Sequence, residues 1–133
     1  MSVDRITLAD FLLIGEAVLG IDAERLAVVV KTGAAESALA APFAGFGEFE
    51  RYPAFADKAA VLCTRLVRNH PLPDGNKRSA LVAIIEFIER NGREWLAAGD
   101  VDDVASTIEG LAARDIDEDQ FRTWVAERIG DRT

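Results

Sequence analysis

The chain concentrates several reactive residue types in one short stretch, which reads His70-Pro71-Leu72-Pro73-Asp74-Gly75-Asn76-Lys77-Arg78-Ser79-Ala80. Arginine and lysine side chains bind phosphate oxygens, and the N-terminus of a helix offers free backbone N–H groups to an anion. A histidine just ahead of them can accept a proton from a hydroxyl group. Together these features predict a site for nucleotide-dependent modification of a hydroxyl.

The flanking residues place this stretch on a loop between two helices. Upstream of the stretch, apolar residues recur at helical spacing and predict a helix; these residues are Phe55, Ala59, Leu62 and Leu66. Pro71 predicts that this helix ends at His70. Residues 73–76 have the composition of a turn. Residues 79–88 are apolar except for Ser79 and Glu86, which predicts a buried helix at the centre of the domain. The N-terminus of that helix therefore carries the anion-binding motif.

The remaining segments also have mainly helical patterns. Thr7 predicts the N-cap of a first helix that ends at Gly20. A second helical stretch covers residues 22–40, with a break at Thr32-Gly33 and a stop at Pro42. Towards the C-terminus, a short link through residues 91–95 precedes two helices, at residues 100–113 and 117–129. We therefore predict an all-α helical bundle forming a single domain, residues 1–133.

Residues 43–52 interrupt this helical pattern. They alternate aromatic residues with glycine and charge, in the order Phe43-Ala44-Gly45-Phe46-Gly47-Glu48-Phe49-Glu50-Arg51-Tyr52. This composition favours a short β-hairpin, or flap, over a helix. Its aromatic residues either pack against the core or bind another molecule.

Composition limits the location of the protein. Cys63 is the single cysteine of the 133 residues, so no internal disulfide can form and nothing argues for an oxidising compartment. The N-terminus has no basic run leading into an apolar segment, and the apolar residues 11–21 are interrupted by Glu16. We therefore expect no signal peptide, no membrane span and a cytoplasmic location.

Charge is distributed unevenly along the chain. The whole chain carries −8, but residues 65–78 hold four basic residues and one acid, so this segment carries +3 and the remainder −11. A strongly acidic body repels nucleic acid, and we expect no direct binding of DNA or RNA. A local patch of positive charge instead favours a small polyphosphate ligand.

Each motif residue also has a structural explanation. His70 could complement the dipole of the helix that it ends, and Asp74 and Asn76 are common in turns and caps. Lys77 and Arg78 are harder to explain in this way, because cations in a first helical turn oppose the dipole unless an anion lies in front of them. Their joint occurrence therefore favours an anion site.

The stretch from residue 70 to residue 78 resembles the signature of the Fic/Doc family, and Lys77 makes it most similar to the Doc (death-on-curing) toxins of bacterial toxin–antitoxin pairs. The resemblance implies a Fic/Doc-like fold, with ATP and Mg²⁺ as cosubstrates and transfer of part of the nucleotide to a protein hydroxyl. It also implies inhibition by a Phd-like antitoxin. Doc toxins phosphorylate elongation factor Tu and stop translation, which makes that protein the expected target.

The resemblance also implies roles for individual residues. His70 would be the catalytic base and Asp74 the Mg²⁺ ligand. Four residues would form the anion nest: Gly75, Asn76, Lys77 and Arg78. Arg68, two residues before the histidine, is a further candidate for nucleotide contact. Asn76 and Arg78 would contact phosphate oxygens, and the flap would dock the target segment as an added strand.

Departures from the family pattern bear on which phosphate moves. Leu72 replaces a phenylalanine that contacts the core. Leu81 stands where the nucleotidyl-transferring branch has a second arginine for the distal phosphates, and Lys77 replaces a glycine of that branch. Both of these changes favour attack at the γ-phosphate of ATP. Gly75, however, is the glycine of the general family signature, where the best-known Doc type has alanine. Adenylyl transfer at the same site, and a catalytically silent binding module, therefore stay open as alternatives.

The resemblance also bears on control. The internal inhibitory pattern of some members, [ST]-x-x-x-E-[GN], is nearly met at Glu109-Gly110, but Ala105 occupies the serine or threonine position. We therefore expect a separate chain to supply the inhibition, by presenting a helix to an apolar groove near the flap.

Overall fold

The computed structural model describes residues 2–131, and in this range the chain is all-α, as the sequence predicts, with two small strand pairs. The seven helices are α1 (Leu8–Leu19), α2 (Ala23–Val29), α3 (Thr32–Ala40), α4 (Phe55–Asn69), α5 (Asn76–Arg90), α6 (Val101–Ala112) and α7 (Glu118–Ala126). A short 3-10 helix, Ala41–Phe43, follows α3. The strands are β1 (Gly45–Phe46), β2 (Phe49–Glu50), β3 (Arg93–Trp95) and β4 (Ile129–Asp131).

Helix α1 has the ends that its sequence predicts. The Thr7 hydroxyl accepts a hydrogen bond from the backbone N–H of Asp10, and the Asp10 carboxylate accepts one from the N–H of Thr7. This reciprocal capping box satisfies two N–H groups that a helix start otherwise leaves free. Gly20 ends the helix in the left-handed conformation, with φ of 71°, which glycine adopts without steric cost.

The break between α2 and α3 lies earlier than the sequence indicates. Thr32 is already the first residue of α3, and the chain turns at Val30 and Lys31. Val30 is extended, with ψ of 141°, and the backbone N–H of Lys31 donates to the Pro71 carbonyl at 2.8 Å. The prediction of a break at Thr32-Gly33 was wrong because this long-range hydrogen bond, rather than the local glycine, determines the turn.

No single helix within residues 2–131 is long and apolar enough to cross a membrane. The one combination that reaches such a length and apolarity joins α2 to the segment Thr32–Phe43, and it is bent by 101° at the break.

Helices α4 and α5 form the centre of the bundle. Ten of the fifteen residues of α4 are buried, against six of the fifteen of α5, so α4 is the more central of the two. The rings of Phe55 on α4 and Phe87 on α5 stack with centroids 5.0 Å apart. The sequence placed the central helix at residues 79–88, but α5 leaves Leu81, Val82 and Ile85 partly exposed at its outer face.

The predicted flap is a two-stranded hairpin. β1 pairs with β2, Gly45 opposite Glu50 and Phe46 opposite Phe49. Both phenylalanines are exposed, by 79% and 57%, so they contribute little to the core. The flap is fixed to α4 at its base, since the buried Lys58 ammonium lies 3.0 Å from the Glu50 carboxylate.

A second strand pair, between β3 and β4, is not predicted by the sequence. The link after α5 contains β3, and α7 ends at Ala126 rather than continuing to residue 129. β4 then pairs with β3, with Trp95 opposite Ile129, and Trp95 packs against Trp124 at 5.9 Å between centroids. Each strand has only three residues, too few for an alternating pattern to be recognised.

Candidate active site

The site begins at the C-terminus of α4. His70 caps this helix in the left-handed conformation, with φ of 47° and ψ of 56°. The residue is exposed to solvent. Histidine is among the non-glycine residues that adopt this conformation more often than others. The next residue, Pro71, accepts the hydrogen bond from Lys31, so the start of the loop is held by the turn between α2 and α3.

The Asn76 side chain holds the loop in shape. Its Oδ1 accepts a hydrogen bond from the Leu72 N–H at 2.9 Å, and its Nδ2 donates to the Leu72 carbonyl at 2.9 Å. Leu72 is 3% exposed and belongs to the core, as expected for the position where the family has phenylalanine. The family resemblance predicts a phosphate contact for the Asn76 side chain, whereas in this structure both ends of its amide bind the loop backbone.

Gly75 lies at the N-cap of α5 in a conformation with φ of 68°. A Cβ atom at this position would lie 2.7 Å from Leu19 Cδ2 and 3.3 Å from Val18 Cγ1, both near the end of α1. Two features therefore favour glycine at this position: the positive φ and the close approach of α1.

The first turn of α5 presents unpaired hydrogen-bond donors. The Ser79 N–H is the first to form a helical bond, to the Gly75 carbonyl at 2.8 Å. The backbone N–H groups of Asn76, Lys77 and Arg78 have no partner within residues 2–131, as expected for a helix N-terminus. The Arg78 side chain is exposed and forms no ion pair with any described residue.

Of the two cations in this turn, Lys77 is the one that has an ion-pair partner within residues 2–131. Its Nζ lies 2.6 Å from Glu109 Oε1 on α6, and both side chains are well exposed, by 47% and 65%. An exposed pair of this kind is weak, so a phosphate can compete with Glu109 for the lysine. In the sequence, Glu109 is recognisable only as part of an incomplete inhibitory pattern, which does not predict this contact.

These residues surround one cavity of about 390 Å³. Its lining contains six of the seven predicted site residues together with Pro73 and Ala112; the six are His70, Asp74, Gly75, Asn76, Lys77 and Arg78. The structure thus brings the histidine, the Asp74 carboxylate and the first turn of α5 together around one cavity. Ala112, near the end of α6, could not be identified from its own sequence position.

Asp74 has the chemistry expected of a magnesium ligand. The residue is exposed, and its Oδ1 accepts a hydrogen bond from the Gly75 N–H at 2.8 Å. No cluster of three or more His, Cys, Asp or Glu side chains is found in the described part of the chain. Mg²⁺ commonly binds one or two carboxylates together with substrate phosphates and water, so a single carboxylate beside an anion site fits this ion.

Arg68 is the predicted site residue outside the cavity lining. Its Nη2 donates to the Ile116 carbonyl at 3.2 Å, and its Nε is buried without a hydrogen-bond partner among the described residues. The guanidinium therefore joins α4 to the link between α6 and α7. This placement gives Arg68 a structural contact that its sequence position did not indicate.

Cys63 offers no nucleophile to this site. The thiol is fully buried in α4, and burial raises its pKa to about 12. A thiol with such a pKa is protonated at neutral pH and unreactive. The chemistry of the site therefore depends on oxygen and nitrogen groups.

Most of the chain matches a known protein family. Residues 5–88 match the model of the Fic/DOC family, and this range contains the whole loop and most of α5. The chain therefore belongs to the Fic/DOC family, whose members are enzymes that transfer groups to proteins and act on ATP.

A curated relative supports the same assignment. The chain is 39% identical over 94 residues to Toxin Doc of Mycolicibacterium smegmatis (strain ATCC 700084 / mc(2)155), and the match covers 71% of this chain and 72% of that protein. No solved structure matches the chain significantly.

Proposed function

We propose that this chain is the toxin of a toxin–antitoxin pair, and that it transfers the γ-phosphate of ATP to a hydroxyl of a protein target. Elongation factor Tu is the proposed target, and a Phd-like antitoxin the proposed inhibitor. Membership of the Fic/DOC family and the similarity to Toxin Doc support this proposal. The observation that carries it is the cavity that combines an exposed histidine with unpaired phosphate-binding donors.

His70 would accept the proton of the target hydroxyl as its oxygen attacks the γ-phosphorus. The bond between that phosphorus and the bridging oxygen to the β-phosphate breaks, and ADP leaves. Phosphoryl transfer needs mainly positioning and charge stabilisation, which the Arg78 guanidinium and the free N–H groups of residues 76–78 can provide. Asp74 would hold Mg²⁺, which neutralises phosphate charge when bound.

Lys77 and Leu81 favour the γ-phosphate as the group transferred. Lys77 places a bulky cation where the nucleotidyl-transferring branch has glycine, so a phosphate chain cannot lie as closely against the backbone. Leu81 is half-buried in an apolar environment and supplies no charge for distal phosphates. We infer that ATP binds with its γ-phosphate towards His70.

Adenylyl transfer is the second candidate, and Gly75 is the residue that favours it. However, the positive φ at this position and the packing against Leu19 account for the glycine by themselves. The choice of glycine over alanine therefore says little about the reaction in this chain.

A catalytically silent binding module is the third candidate. In that case Arg78 would be unfavourable where it lies, without a carboxylate partner and next to free N–H groups, because a cation at a helix N-terminus opposes the helix dipole unless an anion is bound there. The unpaired arginine therefore supports ligand binding at this end of α5.

ATP labelled at either the γ- or the α-phosphate tests the proposal. Purified protein is incubated with elongation factor Tu and each form of ATP, and His70→Ala serves as the control. We expect label from the γ-position to enter the target, with ADP as the product. Label from the α-position with release of pyrophosphate would show adenylyl transfer, and absence of any transfer together with absence of ATP binding would support the silent module.

Toxicity can be tested separately in cells. Expression of the chain alone should arrest growth, whereas expression of His70→Ala at the same level should not. Harmless expression of the soluble, intact chain would contradict the assignment as a toxin.

A further inference from the structure

A buried lysine lies beneath the flap, outside the cavity of the candidate active site. Lys58, near the start of α4, is 3% exposed, and it is the one charged residue that is buried within residues 2–131. Lysine is almost never fully buried unless it is paired, because removing its charge from water is costly. The partners of its ammonium group therefore indicate what this side chain does.

The ammonium group of Lys58 binds both ends of the flap. Its Nζ donates to the Pro42 carbonyl at 3.3 Å, in the 3-10 helix that leads towards β1, and to Glu50 Oε1 at 3.0 Å, at the end of β2. It also lies 5.4 Å from the ring centroid of Phe43, within the range of a cation–π contact. A single side chain therefore joins the segment that enters the hairpin to the strand that leaves it.

The flap has little else to fix its direction. Its strands have two residues each, all exposed, and an isolated hairpin is marginally stable at best. The Arg51 N–H donates to the Ala44 carbonyl at 3.0 Å, which closes the hairpin without attaching it to a helix. Within the described range 2–131, the hydrogen bond that attaches residues 45–50 to a helix is the one from Lys58 to Glu50.

Lys58 and His70 are carried by the same helix. His70 caps α4 twelve residues after Lys58, so a rise of about 1.5 Å per residue separates them by about 18 Å along the axis. Ten of the fifteen residues of α4 are buried, which makes this helix a rigid support. The contacts of Lys58 therefore determine where the flap lies relative to His70.

We propose that Lys58 is the positioning residue of the flap, and that it holds the hairpin where a docked target segment meets His70. The inference deepens the proposed function and rests on it for the protein target. Lys58 acts through Pro42 and Glu50 and does not itself contact the target. An apolar side chain could fill the same space, since replacing a buried ion pair by apolar groups is often neutral for stability. The reason for a charge here is geometric, because transfer requires the reacting groups to be held in line.

Amide hydrogen exchange tests the anchor without reference to activity. Lys58→Met replaces the ammonium group by an apolar group, and we expect the amides of residues 44–51 to exchange about tenfold faster or more. Arg128→Met is the control, because Arg128 also joins one carbonyl, that of Trp124, to one carboxylate, that of Asp103, but lies after α7. Unchanged exchange of the flap in Lys58→Met, or equal acceleration in Arg128→Met, would overturn the proposal.

A second matched pair lies on the flap itself and does not change the buried lysine. Glu50→Ala removes the carboxylate that Lys58 binds, and it should accelerate exchange across the hairpin. Glu48→Ala is the control, because Glu48 is an exposed residue of the same hairpin that forms no ion pair within residues 2–131. This pair also serves if Lys58→Met does not fold. Equal exchange in the two variants would contradict the anchor.

The kinetics of transfer test the consequence for the reaction. Lys58→Met should raise the KM for the protein target by about tenfold or more, whereas the Kd for ATP should not change, because residue 58 does not line the anion cavity. Lys58→Arg should restore most of the KM, since a guanidinium group also donates to a carbonyl and a carboxylate. A parallel loss of ATP affinity in Lys58→Met would show a general loss of structure and contradict a positioning role.

The remaining outcomes separate this inference from the proposed function. If the unmodified protein modifies its target and Lys58→Met does so with an unchanged KM, the positioning role is wrong and the proposed function stands. If the unmodified protein modifies no target, the proposed function is contradicted. Faster flap exchange in Lys58→Met, but not in Arg128→Met, would then still support Lys58 as the residue that holds the flap.

Discussion

Two groups of cations in this protein are paired differently. In the first turn of α5, Arg78 has no ion-pair partner among the described residues, and Lys77 has only an exposed contact with Glu109. Around Tyr52, by contrast, Arg65 binds Glu118 at 3.2 Å and Arg122 binds Asp57 at 2.9 Å. The difference indicates which cations hold the fold and which are available to a ligand.

The cluster around Tyr52 satisfies its own charges. The hydrogen bond with Glu118 raises the pKa of Arg65, and the hydrogen bond with Asp57 raises that of Arg122. Tyr52 is 4% exposed, and its hydroxyl also accepts a hydrogen bond from Arg65. These contacts connect the flap base, α4 and α7. They leave little unpaired charge in this cluster. In the first turn of α5, by contrast, an unpaired arginine side chain lies beside free backbone N–H groups.

Removal of His70 should cause the largest loss of activity. His70→Asn keeps a residue that tolerates the left-handed conformation but has no base, and we expect transfer to fall by about a hundred- to ten-thousand-fold. His70→Ala should lose as much activity and also some stability. Transfer is measured with labelled ATP, and folding by thermal unfolding. Normal transfer by a folded His70→Asn protein would show that His70 is only a helix cap.

A pair of arginine variants tests the contrast between the two groups directly. Arg78→Ala should weaken ATP binding by about 1.5–3 kcal/mol, the range for hydrogen bonds to charged groups, and leave the free energy of unfolding almost unchanged. Arg122→Ala should lower the free energy of unfolding by about 1 kcal/mol without affecting ATP. Calorimetry and urea unfolding measure the two effects. If both variants lose only stability, the distinction between paired and unpaired cations has no functional meaning.

Gly75→Ala tests the junction between the loop and α5. The added Cβ meets Leu19 at 2.7 Å and the positive φ is strained, so we expect a loss of about 1–3 kcal/mol in unfolding free energy. Gly47→Ala is the matched control, since Gly47 also has a positive φ but open space around it. An equal loss at Gly47 and at Gly75 would mean that backbone strain, rather than packing against α1, explains the glycine.

The sequence predicts the parts of this fold that local chemistry determines. The capping residue Thr7, the stop at Pro71 and the turn residues 73–76 all act through their own backbone or near neighbours. The break at Lys31 and the strand pair β3–β4 could not be predicted, because each depends on hydrogen bonds to residues far along the chain.

The same division holds at the site. The motif brought six residues to one cavity, as expected from their closeness in sequence. Spacing alone did not indicate that the Asn76 amide binds the backbone of Leu72, or that Arg68 binds the Ile116 carbonyl. These partners compete with a ligand for the same side chains, and only the packed structure shows which contacts are formed.

Glu109→Gln should sharpen the comparison by removing the acidic partner of Lys77 in the α5 turn. Loss of the carboxylate leaves Lys77 free for phosphate, and an exposed ion pair contributes about 0.2–1 kcal/mol, so ATP affinity should rise by a few-fold at most. Glu86→Gln is the control, because Glu86 pairs with Arg90 away from the anion cavity. Calorimetric titration of ATP in low salt measures both. Unchanged affinity in Glu109→Gln would show that Lys77 does not contact the nucleotide.

The smallest expected effect concerns another paired cation, Arg90, and its partner Asp10. The hydrogen bond from the Thr7 backbone, followed by the one from Arg90, lowers the pKa of Asp10 below its ordinary value of 3.8. A carboxyl group whose pKa is lower in the folded state stabilises the protein above the unfolded pKa, and this contribution is lost as the pH falls through the folded value. Stability should therefore decrease below about pH 4 in part through Asp10.

Asp10→Asn should make this acid decrease less steep, because the residue no longer takes up a proton on unfolding. Asp102→Asn is the control: Asp102 also lies in a first helical turn, that of α6, but is exposed and has no ion-pair partner within residues 2–131. Urea unfolding between neutral pH and pH 3 gives the slopes. The same slope in Asp10→Asn and in the unmodified protein would mean that the Asp10–Arg90 pair does not stabilise the fold, and that pairing seen in the structure is a poor guide to which cations hold it together.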